Sequence, residues 1–458
     1  IIVARFDRKE WHYQTEIHIT ISLLACSKGN KEENGEKGEF PANISFPAVD
    51  LSSSEPIPIL AWYSVFGENT TLKNYQDIKE AGFTHNLSFP RGEKDISSSF
   101  DYAQKVGLKM LLYVDRTWTT EEEVRDRVTR YKNHPVLFGY YVFDEPSQDK
   151  FPEVSAAVKF VQGIDSEHPC YVNLFPNIQN PTYREYVNNF IQTVPVSFLS
   201  FDHYPILGEN DTSPVRYLRP EWYENLEIIA AASRKAGKDF WAFALSTAHT
   251  VKIGNDPISV YPIPTLADLR LQVYSNLAYG AQGIQYFTYF TPSGEGETFH
   301  DGPFYQGRKT PTYDTVKEMN KEIKALSGVF LNSKVLWVAH TGEEIPKGTK
   351  RFNLKEAPSM TPFSTVKTKG EGAVISFLEK GSLRFMVVVN RNLKVSMPLL
   401  VKLHKNAVVR QVDKTGEINA ENMPQSYITQ IEPGDMAVFA YPNIESIQKS
   451  ISAEFSPE

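Results

Sequence analysis

The sequence predicts an α/β protein, a (β/α)8 barrel followed by a small all-β sandwich, and three observations carry that prediction. Apolar runs alternate eight times with polar turns and amphipathic stretches between Ile57 and Phe290, the pattern of parallel βα units. The run Leu137–Phe143 is apolar, aromatic or Gly throughout and then meets Asp144, Glu145 and Pro146. A strand buried on both faces that ends in carboxyls matches the position of functional groups in such a barrel. After about Gly328 the helical periodicity stops, and short β-type runs separated by Gly, Asn, Lys and Pro replace it.

Taken in order, the barrel strands are expected at Ile57 to Phe66, Thr84 to Pro90, Lys109 to Asp115, Leu137 to Phe143, Cys170 to Phe175, Phe198 to Tyr204, Phe240 to Ser246 and Gly283 to Phe290. Helical patterns lie between them at Leu72 to Ala81, Thr120 to Lys132, Pro152 to Ile164, Glu221 to Ala236 and Leu266 to Tyr279. Thr119 and Thr120 precede three glutamates, a cap followed by acids that favour the positive end of the helix dipole. Glycines at 82, 107, 237 and 280 close helices. The later strands are expected at Val335 to Val338, Gly372 to Leu378, Leu383 to Val389, Leu399 to Leu403, Ala407 to Val412 and Met436 to Tyr441. The divisions that follow are a leader over 1–26, a flexible linker over 27–55, the barrel over 56–330, the sandwich over 331–443 and a polar tail over 444–458.

The bulk properties bound the function. A chain of 458 residues with net charge -7 has room for a large core and no basic face for nucleic acid. Two cysteines, Cys26 and Cys170, exclude a disulfide framework. No His, Cys and acid spacing marks a metal site and no Gly-rich phosphate loop follows a strand, so no cofactor is expected. Ile17 to Cys26 is a short apolar segment closing in Leu23-Leu24-Ala25-Cys26, and it resembles a bacterial lipobox. That resemblance implies lipidation at Cys26, export, and attachment to the cell envelope through the lipid alone, with Ser27 to Phe40 as a polar tether. The structural alternative is a buried first strand with an ordinary cysteine.

Several motifs resemble clan A glycoside hydrolases, in particular family 42-like and family 5-like enzymes. Leu137 to Pro146 is similar to their fourth strand, Phe201-Asp202-His203-Tyr204-Pro205 to their sixth, and Arg270 to Phe290 to their last helix and eighth strand. Runs such as Met386 to Arg391 and Ile431 to Asp435 look like the accessory β-domain that follows such barrels. The resemblance implies a carbohydrate substrate, with Glu145 as acid/base. Two positions depart from it: Asp144 stands where the clan carries Asn, and Phe240 to His249 lacks the glutamate expected on the seventh strand.

Glycosidic cleavage needs an acid for the leaving oxygen and usually a second carboxylate. Glu145 suits the first role, beside Tyr140, Tyr141 and Phe143. Asp202, Asp144 and the loop acids Glu295 and Glu297 compete for the second. An adjacent Asp144–Glu145 pair also resembles hexosaminidase-type barrels, in which the Asp orients the sugar's own acetamido group. A third reading is a surface glycan-binding barrel that does not cleave. The remaining strand-end groups, Trp62, Tyr63, His85, Asn86, Asp115, Arg116, Asn173, His203, Tyr204, Trp241, His249, Tyr286 and Tyr289, offer sugar hydroxyls donors, acceptors and flat faces.

Overall fold

The computed structural model describes residues 44–49, 51, 55–90, 92–178, 180–253, 256–293 and 298–446. Cys26, Glu295 and Glu297 therefore lie outside the described residues. The described residues belong to one compact unit.

Eight strands close into a parallel barrel: β1 (Ile59–Ser64), β2 (His85–Ser88), β3 (Lys109–Tyr113), β4 (Leu137–Asp144), β5 (Cys170–Leu174), β6 (Phe198–Phe201), β7 (Asp239–Leu245) and β8 (Gly283–Phe287). Each pairs with its neighbours in chain order, and β8 closes on β1 through Ile59↔Ile284 and Trp62↔Phe287. The helices that follow them are α1 (Leu72–Glu80), α2 (Glu93–Val106), α3 (Glu121–Tyr131), α4 (Phe151–Gln162), α5 (Tyr183–Thr193), α6 (Trp222–Ala236), α7 (Leu266–Ala278) and α8 (Pro311–Ala325). Local chemistry sets their ends. In α3 the Thr120 side chain accepts from Glu123 N while the Glu123 carboxylate accepts from Thr120 N at 2.7 Å, so two otherwise unpaired donors are satisfied. α6 closes on Gly237, at φ 62, where a side chain would be strained.

Strand alternation sorts side chains between lumen and helix layer. Leu60, Trp62, Leu87, Leu111, Tyr141, Tyr171, Phe198, Trp241 and Phe243 fill the lumen, whereas Tyr140, Val142, Ile284 and Tyr286 join the outer core against the helices. Gly283 is required by this filling, because a Cβ there would overlap the Trp241 indole. Gly283→Ala is expected to cost about 1–3 kcal/mol through overpacking; a denaturant midpoint unchanged from wild type would contradict this packing.

Beyond α8 come β9 (Lys334–His340), β10 (Phe363–Thr368), β11 (Ala373–Lys380), β12 (Leu383–Asn390), β13 (Met397–Leu403), β14 (Arg410–Val412), β15 (Ser426–Ile431) and β16 (Met436–Pro442). They form two antiparallel sheets, ordered β9-β11-β12-β16-β14 and β10-β13-β15. The larger sheet is apolar on both faces. Val374, Phe385, Val387 and Val438 join the barrel's outer core, while Ile375, Met386, Val388 and Phe439 pack with Leu399 and Val401 of the smaller sheet. This double burial is why Phe385–Val389 reads as an unbroken apolar run. At the seam, Arg270 of α7 pairs with Glu322 of α8 and lies 3.7 Å from Asp435, and the Tyr279 hydroxyl meets His340 Nε2 at 2.8 Å. Ahead of the barrel, Phe46 and Leu51 pack on its outer core, so this part of the expected linker is docked.

Candidate active site

Four carboxyls gather where β3, β4 and β6 end. Asp115 lies just past β3, Asp144 is the last residue of β4, Glu145 follows it, and Asp202 follows β6. The backbone turns sharply at Glu145, whose φ is 45, a left-handed conformation rarely adopted by residues with a side chain. That turn lets two successive acids address the same region, which a regular strand forbids. Its amide donates to Asn173 O at 2.9 Å. Tyr186 of α5 fixes the next residue by donating its hydroxyl to Pro146 O at 2.8 Å.

The acids interact directly. The Glu145 and Asp202 carboxyls lie within reach of a shared proton, and Tyr204 and Asn173 also bond Asp202, the latter through Nδ2 at 3.2 Å. A polar chain crosses the lumen below them. The Tyr171 hydroxyl donates to Gln285 Oε1 at 2.7 Å, Gln285 Nε2 to Ser200 Oγ at 2.9 Å, and Ser200 Oγ to Asn173 Oδ1 at 2.8 Å. This chain fixes the Asn173 amide so that its Nδ2 faces Asp202.

Desolvation is the main force on protonation here. It raises Glu145 well above the usual carboxylate range, and the neighbouring Asp202 and Asp144 charges add to it. Asp144 is pushed up to about 7 by burial and then by Asp202, and Asp202 and Asp115 are also raised by burial. Asp144, Glu145 and Asp202 nonetheless keep partial exposure, so solvent and solutes reach them. Glu145 borders a hollow of about 460 Å³ with Ser147, Gln148, Phe175, Pro176 and Tyr186. Small-molecule sites span roughly 300–1,000 Å³.

The sign of the stability effect follows. A folded state that keeps protons the unfolded chain would release loses stability as pH rises. For Asp144 the loss runs from its ordinary value near 3.8 up to about 7, and for Glu145 it continues higher. Below about 6.5 the buried histidines oppose it: His85 is pushed down to about 3, and His203 and His249 to about 4, mainly by desolvation. The melting temperature is therefore expected to fall between pH 7 and 9. Asp144→Asn should be more stable than wild type by on the order of 2–4 kcal/mol at pH 8 and indistinguishable from it at pH 4. A pH-independent difference between the two would contradict a desolvated Asp144.

Other residues expected at the mouth lie elsewhere. His85 and Trp241 are in the lowest lumen layer, with ring centroids 5.6 Å apart and Phe138 against both, at the far end of the barrel from Glu145. The strands run on past them: β7 continues to Leu245. Asn86 turns to the helix side, donating to Ser88 Oγ at 2.9 Å, and so does His203, whose Nδ1 meets Asn225 Oδ1 of α6 at 3.0 Å. Tyr286 and Tyr289 edge-pack on Phe83 in the outer core, and Tyr140 bonds Asp165 there. Trp62 is packed into the lumen by Phe89, Tyr141, Phe243 and Phe287. Arg116 reaches Glu121 at 3.5 Å.

Asp115, Asn173, Tyr204, His249 and Tyr63 do lie towards the mouth. Tyr63 packs on Phe89 and Phe290. Tyr204, His249 and Tyr261 form an aromatic cluster with Phe287 and Phe299 over the β6–β8 side. The hydroxyls just past β7 are spent internally: Ser246 Oγ donates to Thr288 O at 3.0 Å and Thr247 Oγ1 meets Thr288 Oγ1 at 2.9 Å. Tyr186 and the Tyr171–Gln285–Ser200 chain carry no signal in the sequence, because spacing does not show which tyrosine or serine faces an acid. Among the described residues no group of three or more His, Cys, Asp or Glu is arranged to hold a metal ion, and no helix is long and apolar enough to cross a membrane.

Fold and site together define a (β/α)8 barrel with carboxyls gathered at the C-terminal ends of its strands. Residues 153–326, from α4 to the end of α8, match family 42 of the glycoside hydrolases, described as β-galactosidase. The matched segment includes Asp202 and begins after Glu145. No curated protein matches the chain by sequence. Among solved structures, one described as a glycoside hydrolase aligns with TM-score 0.53 at 13% identity, covering 85% of this chain and 92% of that one. A catalytic mutant of a family 42 β-galactosidase from G. stearothermophilus aligns with TM-score 0.52 at 9% identity, covering 88% and 100%. The chain spans 60% of the length of a third, the β-galactosidase from the psychrophilic Marinomonas ef1, at 13% identity and TM-score 0.42. At these identities the structural likeness establishes the barrel architecture.

Proposed function

We propose that this chain hydrolyses glycosidic bonds of a carbohydrate, with Glu145 donating the proton to the leaving oxygen and Asp202 as the second carboxylate. One observation carries the reading: a desolvated Glu145 at the barrel mouth, with its carboxyl against that of Asp202 and bordering an open hollow. Desolvation keeps the Glu145 proton in place at neutral pH, which is what a general acid requires. When ionised, Asp202 offers negative charge to the oxocarbenium-like centre that forms as the bond breaks. A glycosidic oxygen entering between them takes over the proton within reach of both carboxyls in the free protein. The family 42 segment makes β-galactosides the first substrates to try. A panel of nitrophenyl glycosides, including the β-galactoside, tests the reading: turnover above the spontaneous rate supports it, and none across the panel overturns it.

The lack of a carboxylate from Leu245 to His249 favours a second reading, glycan binding without cleavage. Affinity without turnover would establish it. The Leu23-Leu24-Ala25-Cys26 run supports a further proposal, lipid attachment at Cys26 and an exported, envelope-anchored protein. Incorporation of a fatty-acid analogue that disappears in Cys26→Ser is the expected result; equal labelling of both would refute it.

A further inference from the structure

The hollow beside Glu145 has an aromatic wall, and that bears on what departs when a bond is broken there. Along β5 the side chains of Tyr171 and Asn173 face the lumen and the acids, and Phe175 continues that alternation just past the strand's last residue, Leu174. Phe175 is 38% exposed and lines the hollow together with Glu145. Polar side chains share the lining: Ser147 and Gln148 after β4, and Asn180 and Thr182 after β5. Asn180 Oδ1 accepts from Thr182 N and from Thr182 Oγ1, each at 3.1 Å, which orients the Asn180 amide. Glu145 is the residue that this hollow and Asp202 have in common. The rim repeats the pattern. Among the described residues the exposed aromatic side chains are Trp118 at 78%, Phe175, and Tyr217 at 49%, and they lie on the connections that leave the C-terminal ends of β3, β5 and β6. Trp118 is held out by an ordered turn: its amide donates to Asp115 O at 3.1 Å, and Thr119 Oγ1 donates to the same oxygen at 2.7 Å. Single exposed apolar groups scattered over a surface are ordinary, whereas aromatics confined to one end of a barrel mark a contact surface.

Resting on the glycosidase reading, we propose that the leaving group is itself a sugar, seated in the hollow beside Glu145 with its ring against Phe175, so that the substrate is an oligosaccharide rather than the glycoside of a small alcohol. The acid that protonates a glycosidic oxygen stands between the two units which that oxygen joins. Asp202, as the second carboxylate, faces the unit that keeps the anomeric carbon, and the hollow on the β4–β5 side takes the unit that departs. A pyranose ring has faces of C–H groups and a rim of hydroxyls. The faces suit the electron-rich face of the Phe175 ring, and the hydroxyls suit Gln148 and Asn180, whose amides both donate and accept. Stacking on a flat ring is indifferent to most hydroxyl positions. The seat therefore selects a sugar over an alkyl group without fixing which sugar it is.

The test uses the full chain and varies the leaving group on one sugar. Titration calorimetry of Glu145→Gln, which suppresses cleavage, with the β-1,4-linked tetrasaccharides of galactose, glucose, mannose, xylose and N-acetylglucosamine identifies the chain that binds. Adding Phe175→Ala should weaken that binding about tenfold, the scale of one stacked ring, and Phe175→Tyr should restore it. Turnover is then read with Glu145 intact, on the same tetrasaccharide and on the β-glycosyl fluoride of the same sugar, whose leaving fluoride fills no such seat. Phe175→Ala should lower kcat/KM for the tetrasaccharide relative to the fluoride by about tenfold. A ratio that Phe175→Ala does not move, a loss that Phe175→Tyr does not restore, or no binding of any tetrasaccharide overturns the proposal. Turnover of the fluoride and of nitrophenyl glycosides with an unmoved ratio sinks this inference alone. Binding that Phe175→Ala weakens, without turnover of any glycoside, sinks the hydrolase reading alone.

Discussion

Glu145→Gln lowers kcat/KM by about 10²–10⁴-fold on a glycoside with a poor leaving group, the usual contribution of a positioned general acid. The same variant should lose far less on a dinitrophenyl glycoside, whose leaving oxygen departs without help. This contrast separates proton donation from structural damage, because a misfolded site would lose both substrates equally. The variant is also expected to be more stable than wild type above neutral pH, since it removes a carboxyl that burial holds above its ordinary range. Comparable losses on the two substrates, or wild-type activity on both, would take Glu145 out of the chemistry.

The second large effect belongs to Asp202. Its charge raises Glu145, and the two carboxyls lie within reach of a shared proton. Asp202→Asn removes that charge, so Glu145 ionises at lower pH and the alkaline limb of the kcat/KM profile moves towards acid by roughly 1–2 pH units. The sign is fixed: the active form is protonated Glu145, and a weaker hold on the proton depletes that form sooner as pH rises. A fall in kcat of about 10²-fold or more accompanies the shift if Asp202 also faces the reacting carbon. A scaled-down profile with an unmoved alkaline limb would leave Asp202 a structural acid.

Most of the eight barrel strands are legible in the sequence because burial on both faces writes itself as an apolar-rich run, although β2, His-Asn-Leu-Ser, carries only Leu87 as an apolar residue. α2 is harder to read, because Ser97, Ser98 and Ser99 interrupt the stripe made by Ile96, Phe100 and Ala103. β10 and β15 escape for the opposite reason: one face of each is exposed, so Phe363–Thr368 and Ser426–Ile431 look like polar connections. The hairpin formed by His249–Ile253 and Asp256–Tyr261 is hidden by the Gly-Asn-Asp-Pro run within it.

At the site, position along the chain is more legible than direction. Asp115, Asp144, Glu145 and Asp202 can be placed at strand ends from the sequence, and they do lie there. Which way a neighbour points depends on strand parity and on where the strand stops. His85 and Asn86 are adjacent and face opposite layers, and neither reaches the mouth. The bulge in β4 between Tyr141 and Phe143 and the left-handed turn at Glu145 both shift parity just before the acids, and no residue type announces either.

The most direct test of the account is a crystal structure of the Glu145→Gln variant with an uncleaved oligosaccharide. The account predicts a glycosidic oxygen within about 2.6–3.2 Å of the residue 145 side chain, with the Asp202 carboxylate facing the adjacent anomeric carbon. A saccharide seated away from β4, or one at the mouth with residue 145 still turned to Asp202 and no sugar oxygen in reach, would contradict it.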